Sequence, residues 1–151
     1  MPLTKKPVTG MKDITPAEMQ IREYVMNQIR ETYKSFGFSQ IETPCVEHIE
    51  NLTSKQGGDN EKLIFKVLKR GDKLNLETAQ DENDLTDSGL RYDLTLPLSR
   101  YYANNASSLP SPFKALQMGS VWRGDRPQKS RFPQFTQCDI DILGDATNLA
   151  E

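Results

Sequence analysis

The feature that most constrains this fold is a pair of runs near the C-terminal end, KALQMGSVWRG (114–124) and QFTQCDIDIL (134–143), each alternating with the two-residue period of a β-strand. In the first run Leu116, Met118 and Trp122 share one face, predicted to be core. Ala115, Gln117, Gly119, Val121 and Arg123 share the other, where small residues beside a charged one leave room for a ligand. In the second run Thr136, Cys138, Ile140 and Ile142 fall together, opposite Phe135, Gln137, Asp139 and Asp141. If the intervening GDRPQKSRFP loop makes the two strands neighbours, Arg123, Gln137 and Asp141 lie on a common surface. Arg123, Arg126, Lys129 and Arg131 then stand over a pair of carboxylates. That pattern suits a molecule negative at one end and positive at the other. An antiparallel hairpin with a simply wetted outer face would show the same alternation.

The 151 residues suit one domain with a real core. A formal net charge of −2 argues against a free-standing nucleic-acid-binding module, which would carry a basic excess. No apolar run approaches the roughly 18 residues of a membrane span, and MPLTKKPVTG lacks the apolar segment of a secretory signal, so a cytoplasmic location is expected. Cys45 and Cys138 are far apart and without CxxC spacing, and both are expected to be small buried residues. His48 has no second histidine or nearby cysteine with which to share a metal, and no metal site is predicted; it reads as a surface or boundary residue.

Along the rest of the chain, Thr15, Pro16 and Glu18 form a capping-box start to a helix. Ile21, Tyr24, Val25, Ile29, Tyr33 and Phe36 continue it at helical spacing, and Gly37 ends it. FSQIETPCVEHIE reads as a strand interrupted at Pro44, which marks an edge, a bulge or a chain crossing. LIFKVLKRGDKLNLETA reads as a hairpin turning at Arg70, Gly71 and Asp72, and DENDLTDSG as an exposed acidic loop. LRYDLTLPLSRYYANN begins as a short strand and becomes a helix capped by Thr95. DATNLAE reads as the first turn of another helix, with Asp145 or Thr147 as cap.

FKALQMGSVWRGDRPQKSRFPQFTQCDIDILG resembles motif 2 of the class II aminoacyl-tRNA synthetases in the form found in the histidyl-tRNA synthetase family. LRYDLTLPLSRYYANN is similar to that family's amino-acid-binding segment, GFSQIETPCVE to motif 1, and GMKDITPAE to its N-terminal opening. The resemblance covers nearly the whole chain in the family's order. It implies an α+β fold, a mainly antiparallel sheet flanked by helices, with residues 1–151 as the N-terminal portion of the class II catalytic domain. Motif 3 and the anticodon-binding domain are absent from these residues, so the chain is expected to be part of a longer synthetase and inactive alone.

The resemblance also implies chemistry. Histidine is activated with ATP to histidyl-adenylate and transferred to tRNA(His), ATP being a substrate that arrives with Mg2+. Arg123 matches the catalytic motif 2 arginine, whose planar, permanently charged fork suits an α-phosphate and an attacking carboxylate together. Asp125, Arg131 and Phe135 match the other ATP-site positions, with Phe135 stacking on adenine and Arg131 reaching the phosphates. Asp93, Thr95, Gln137 and Asp141 match the histidine pocket, where carboxylates can pair with the ammonium group and an acceptor can fix the imidazole tautomer. Asp125 stands where many members have Glu, and Pro133 where an Arg is usual, which removes a cation and a backbone donor. A homodimer through motif 1 is expected, with no membrane partner. The alternative is a non-catalytic relative, similar to the histidine-sensing regulatory subunit of ATP phosphoribosyltransferase, which has no need of a phosphate cradle.

Overall fold

The computed structural model describes residues 3–53, 61–126, 131–147 and 150. Helix α1 (Pro16–Ser35) starts at the expected capping box: Glu18 N donates to Thr15 Oγ1 at 3.4 Å, and Thr15 N donates to Glu18 Oε2 at 3.0 Å. It ends at Gly37, whose φ of +81° lets Gly37 N donate to Lys34 O and Phe38 N to Tyr33 O, each at 3.0 Å. The rings of Tyr33 and Phe38 meet edge-on at 5.5 Å and seal that stop.

The chain then crosses between two sheets. Strand β1 (Ser39–Ile41) pairs in parallel with β5 (Phe113–Trp122), while β2 (Val46–His48) pairs antiparallel with β4 (Thr86–Leu90). Pro44 lies in the crossing between them, where no ladder needs its missing N–H. The first sheet has the order β1-β5-β6, with β6 (Gln134–Leu143) antiparallel to β5 over ten residue pairs from Phe113–Leu143 to Trp122–Gln134. The second has the order β2-β4-β3, with β3 being Lys66–Leu68. Three of the four pairings among the described residues are antiparallel, so the fold is α+β with a mainly antiparallel framework. No helix among the described residues is long and apolar enough to cross a membrane.

Several expectations are corrected. Residues 63–79 do not fold into a hairpin: the turn after β3 is a short 3-10 turn at Gly71–Lys73, and the strand that returns beside β3 is β4. The supposed acidic loop contains α3 (Glu82–Leu85) and β4 itself, the central strand of its sheet. The polar Thr86-Asp87-Ser88-Gly89 sequence hides this strand because its burial depends on neighbours. Helix α2 (Ile49–Thr53) and Ile64 press so closely on Gly89 that a Cβ there would sit 2.9 Å from both Leu52 and Ile64. Cys45 and Cys138 are exposed, not buried.

The two faces of β5 are also not as expected. Helix α4 (Thr95–Asn105) lays Leu94, just before it, and Leu98 over the odd-numbered face, and Leu98 packs with Phe113 and Ala115 in the core. Ala115, Gln117 and Val121 are therefore buried; on the face expected to be core Leu116 is buried, whereas Met118 and Trp122 are only half-buried. Helix α1 lies along that second face but has no buried residue. Its apolar stripe is wide. Met26, Ile29 and Tyr33 on one edge are half-buried, while Ile21 and Tyr24 remain 67% and 66% exposed.

One buried cation joins the two sheets. Arg91, which follows β4, is 2% exposed; its Nη1 donates to Thr43 O at 2.6 Å and to Thr43 Oγ1 at 3.1 Å, and its Nε donates to Ser120 O at 2.9 Å. Its backbone N–H donates to Cys45 O and its carbonyl accepts from Trp122 N. Thr43 Oγ1 in turn donates to Gln117 Oε1, and Gln117 Nε2 donates to Leu94 O. Gly119 makes room for the guanidinium, since a Cβ there would fall 2.3 Å from Arg91 Nη2. Arg91→Met would strand buried carbonyls that each cost about 1–3 kcal/mol when unsatisfied. The variant should lose about 3 kcal/mol or more in urea unfolding, and Gly119→Ala should also destabilise. A loss within about 0.5 kcal/mol for Arg91→Met would refute this role.

Candidate active site

The β5–β6 register decides which side chains meet. Val121 lies opposite Phe135, Gly119 opposite Gln137, Gln117 opposite Asp139 and Ala115 opposite Asp141. Arg123 N extends the ladder by donating to Pro133 O at 2.8 Å. The odd-numbered face therefore carries, in order, Arg123 with Phe135, then Gln137, Asp139 and Asp141. The common surface expected for Arg123, Gln137 and Asp141 is present. Pro133 is buried and contributes its carbonyl to the ladder, so its missing N–H does not break the foot of the loop.

At the loop end, Arg123, Asp125, Arg131, Phe132 and Phe135 line a cleft of about 230 Å3. All four residues expected at the ATP site are among them. Arg123 is held twice: its Nε donates to Tyr92 O at 3.0 Å, and its guanidinium lies 5.1 Å from the Phe135 ring centroid, a cation–π distance. Arg131 pairs with Asp125 at 2.9 Å. Gly124 N donates to Leu63 O at 2.8 Å and anchors the base of the loop. Residues 127–130, which include the remainder of the RPQK sequence, lie outside the described residues.

The other end of the face is acidic. Asp93 sits just before α4, and its Oδ1 accepts from Leu96 N at 3.2 Å. Asp93, not the expected Thr95, thus supplies the side-chain cap of that helix. Thr95 is the first helical residue, two positions after Asp93; it is exposed, and its side chain makes no hydrogen bond among the described residues. Burial raises the pKa of Asp93, the Leu96 N–H and Arg123 oppose that, and Asp139 adds to it; the net direction is up. Burial also raises Asp141, reinforced by the charges of Asp139 and Asp93. These carboxylates therefore share one field.

Two acceptors on this face have no donor. Gln137 Oε1 and Asp141 Oδ2 are buried without a hydrogen-bond partner among the described residues. A buried acceptor left unpaired is costly, and an N–H-bearing cation is the natural complement. Thr136 Oγ1 is a third such atom, on the opposite face of the sheet. Asp139 and Arg91 were not assigned to the site from sequence. The alternation at 137, 139 and 141 was the available signal for Asp139; Arg91 had none, because its contacts come from segments 48 and 29 residues away in sequence.

An antiparallel platform bearing a fixed arginine at one end and unpaired acceptors at the other, joined to a helix-and-strand crossing, is the architecture of a class II synthetase core. The family model described as histidyl-tRNA synthetase matches residues 10–151, and the chain belongs to that family. A histidine-tRNA ligase from Leifsonia xyli subsp. xyli is 48% identical over 149 residues, covering 96% of this chain and 35% of the relative. The crystal structure of histidyl-tRNA synthetase from Nostoc sp. PCC 7120 superposes with a TM-score of 0.76 at 34% identity, over 95% of this chain and 30% of that one. An ATP phosphoribosyltransferase regulatory subunit/histidyl-tRNA synthetase from Bacillus halodurans gives 0.73 at 22% identity, over 97% of this chain and 34% of that one, which establishes the shared fold alone. The chain thus spans about a third of the length of the relatives it matches.

The raised carboxylates predict a sign for stability. An acid whose folded pKa exceeds its unfolded one incurs no penalty at low pH, where both states are protonated. It loses stability as pH rises from the ordinary carboxylate range through the folded pKa, and the loss persists above. Asp141→Asn should therefore raise the thermal midpoint at neutral pH, with the gain fading as pH falls through the ordinary carboxylate range. Calorimetry across pH tests this, and an Asn variant less stable than its parent at pH 7 would contradict it.

Proposed function

We propose that this chain forms the histidine-activating face of a histidine-tRNA ligase. The observation that supports it best is the order of groups along one strand face: Arg123 and the aromatic cleft, then Gln137, then Asp141. Activation needs a carboxylate of histidine against the α-phosphorus of ATP. A carboxylate oxygen forms the new bond to phosphorus, and the bridging bond to pyrophosphate breaks. With the phosphate at Arg123, the carboxylate lies beside it. The ammonium, on the same carbon, falls near Gln137 and Asp93, and the imidazole reaches toward Asp141. Gln137 Oε1 and Asp141 Oδ2 then each receive the donor they lack.

Arg123 performs no proton transfer in this reading. Anchored by Tyr92 O and the Phe135 ring, it presents fixed positive charge where negative charge builds on the phosphoryl oxygens, and little reorganisation is needed at that moment. Phe135 would flank the adenine and Arg131 the outer phosphates. Asp125 is the carboxylate lining the cleft, and with one oxygen taken by Arg131 it offers Mg2+ little, so the phosphates would supply most of the ion's ligands. The adenylate is then consumed by tRNA(His), a step assigned to the whole protein, in the cytoplasm. A histidine sensor on the same fold would use the acidic end without the arginine cleft.

We also propose that the exposed half of the α1 stripe, Ile21, Tyr24 and Val25, is covered by a second copy of the chain. Sedimentation should show a dimer that Tyr24→Glu weakens; a parent that stays monomeric at high concentration would exclude it.

In the full-length protein, Arg123→Ala should lower histidine-dependent pyrophosphate exchange by about 10²- to 10³-fold, as for loss of one preorganised donor. Arg123→Lys should recover little, because an ammonium cannot bridge phosphate and carboxylate with a planar fork. Asp141→Ala should mainly raise the KM for histidine. Exchange that survives Arg123→Ala, together with histidine binding abolished by Asp141→Ala, would favour the sensor.

A further inference from the structure

The side-chain amide of Gln137 has two ends of opposite character, and the strand decides which one a ligand meets. Gln137 Nε2 donates to both oxygens of Asp139, at 3.0 and 2.8 Å. An ionised carboxylate only accepts hydrogen bonds, so the reversed amide would set Oε1 against two acceptor oxygens at close range. The amide is therefore held one way round, and it leaves Oε1 as the buried atom without a donor. The two residues are separated by one position on the same strand and share its ligand-bearing face, so no tertiary rearrangement is needed to keep them in contact.

We propose that Asp139 is a positioning residue that locks Gln137 as a hydrogen-bond acceptor and so makes this part of the pocket selective for a ligand carrying an ammonium group. The inference rests on the amino-acid-binding reading above and adds a determinant to it. Without Asp139 the amide is free to turn. Its NH2 end would then suit a carboxylate, hydroxyl or water as well as its carbonyl suits a cation. Asp139 acts through Gln137 and need not touch the ligand.

The test compares, on the full-length protein, the affinities for histidine and for 3-(imidazol-4-yl)propionate, which lacks only the amine. The parent should strongly prefer histidine. Asp139→Leu should cut that preference by about tenfold or more, the scale of a lost hydrogen bond to a charged group, with affinity for the propionate nearly unchanged. Gln137→Leu should cut it similarly, and adding Asp139→Leu to Gln137→Leu should cut it no further. Asp139→Ser gives the same reading should the leucine variant not fold. An unchanged preference in Asp139→Leu or Asp139→Ser overturns the inference while leaving the amino-acid site standing. So does a full further loss in the double variant, which would show direct charge attraction. A parent with no preference for the amine would remove the amino-acid site itself, and this inference with it.

Discussion

The buried guanidinium of Arg91 is the contact on which the rest of the arrangement depends. It has no carboxylate partner among the described residues and is satisfied by backbone carbonyls and a hydroxyl drawn from the crossing before β2 and from β5. A buried charge is costly unless acceptors meet it, so the Nε and Nη1 contacts make it an exacting joint. It fixes the angle at which the second sheet leaves the first. Through Thr43, Gln117 and Leu94 it also fixes the start of α4, and hence Asp93. Tyr92, the next residue, offers the carbonyl that holds Arg123. Both ends of the site are thus tied to one side chain.

A second network performs the same work further out. Glu47 of β2 is buried. Burial pushes its pKa up, but hydrogen bonds from Arg100, the His48 N–H and Asn51 more than offset that, so the net direction is down. The contrast with Asp93 and Asp141 is informative. Glu47 is matched by donors and belongs to the framework, joining β2 to α4. The pocket acids are raised because burial outweighs the few favourable contacts they meet, a condition that suits the cation-binding role proposed for them.

Much of this was legible in the chain because it is local. The capping box at Thr15 and Glu18, the stop at Gly37, the crossing at Pro44 and the two long alternating strands each follow from residues within a few positions of one another. The errors share a different origin. Residues 63–79 resembled a hairpin, yet β3 found its partner in β4, whose polar sequence gives no strand signal until α2 and Ile64 close over Gly89. Thr95 looked like a cap, but the carboxylate two residues earlier took that role. The cysteines looked buried by type, but exposure is set by what packs over each side chain, and both are exposed.

The sequence by itself determined the alternation that puts Arg123, Phe135, Gln137, Asp139 and Asp141 on one face, because side-chain direction along a strand follows from backbone geometry alone. It determined the chemical character of that face as well, cationic at one end and acidic at the other. Tertiary structure decided that α4 covers half of this face as core and leaves the rest as a site. It also decided that Asp93 joins the acids, and that Gln137 Oε1 and Asp141 Oδ2 lose their water without gaining donors. These outcomes depend on segments far apart in sequence arriving at the same place, and on the removal of solvent that accompanies their arrival. No periodicity within either strand records such events.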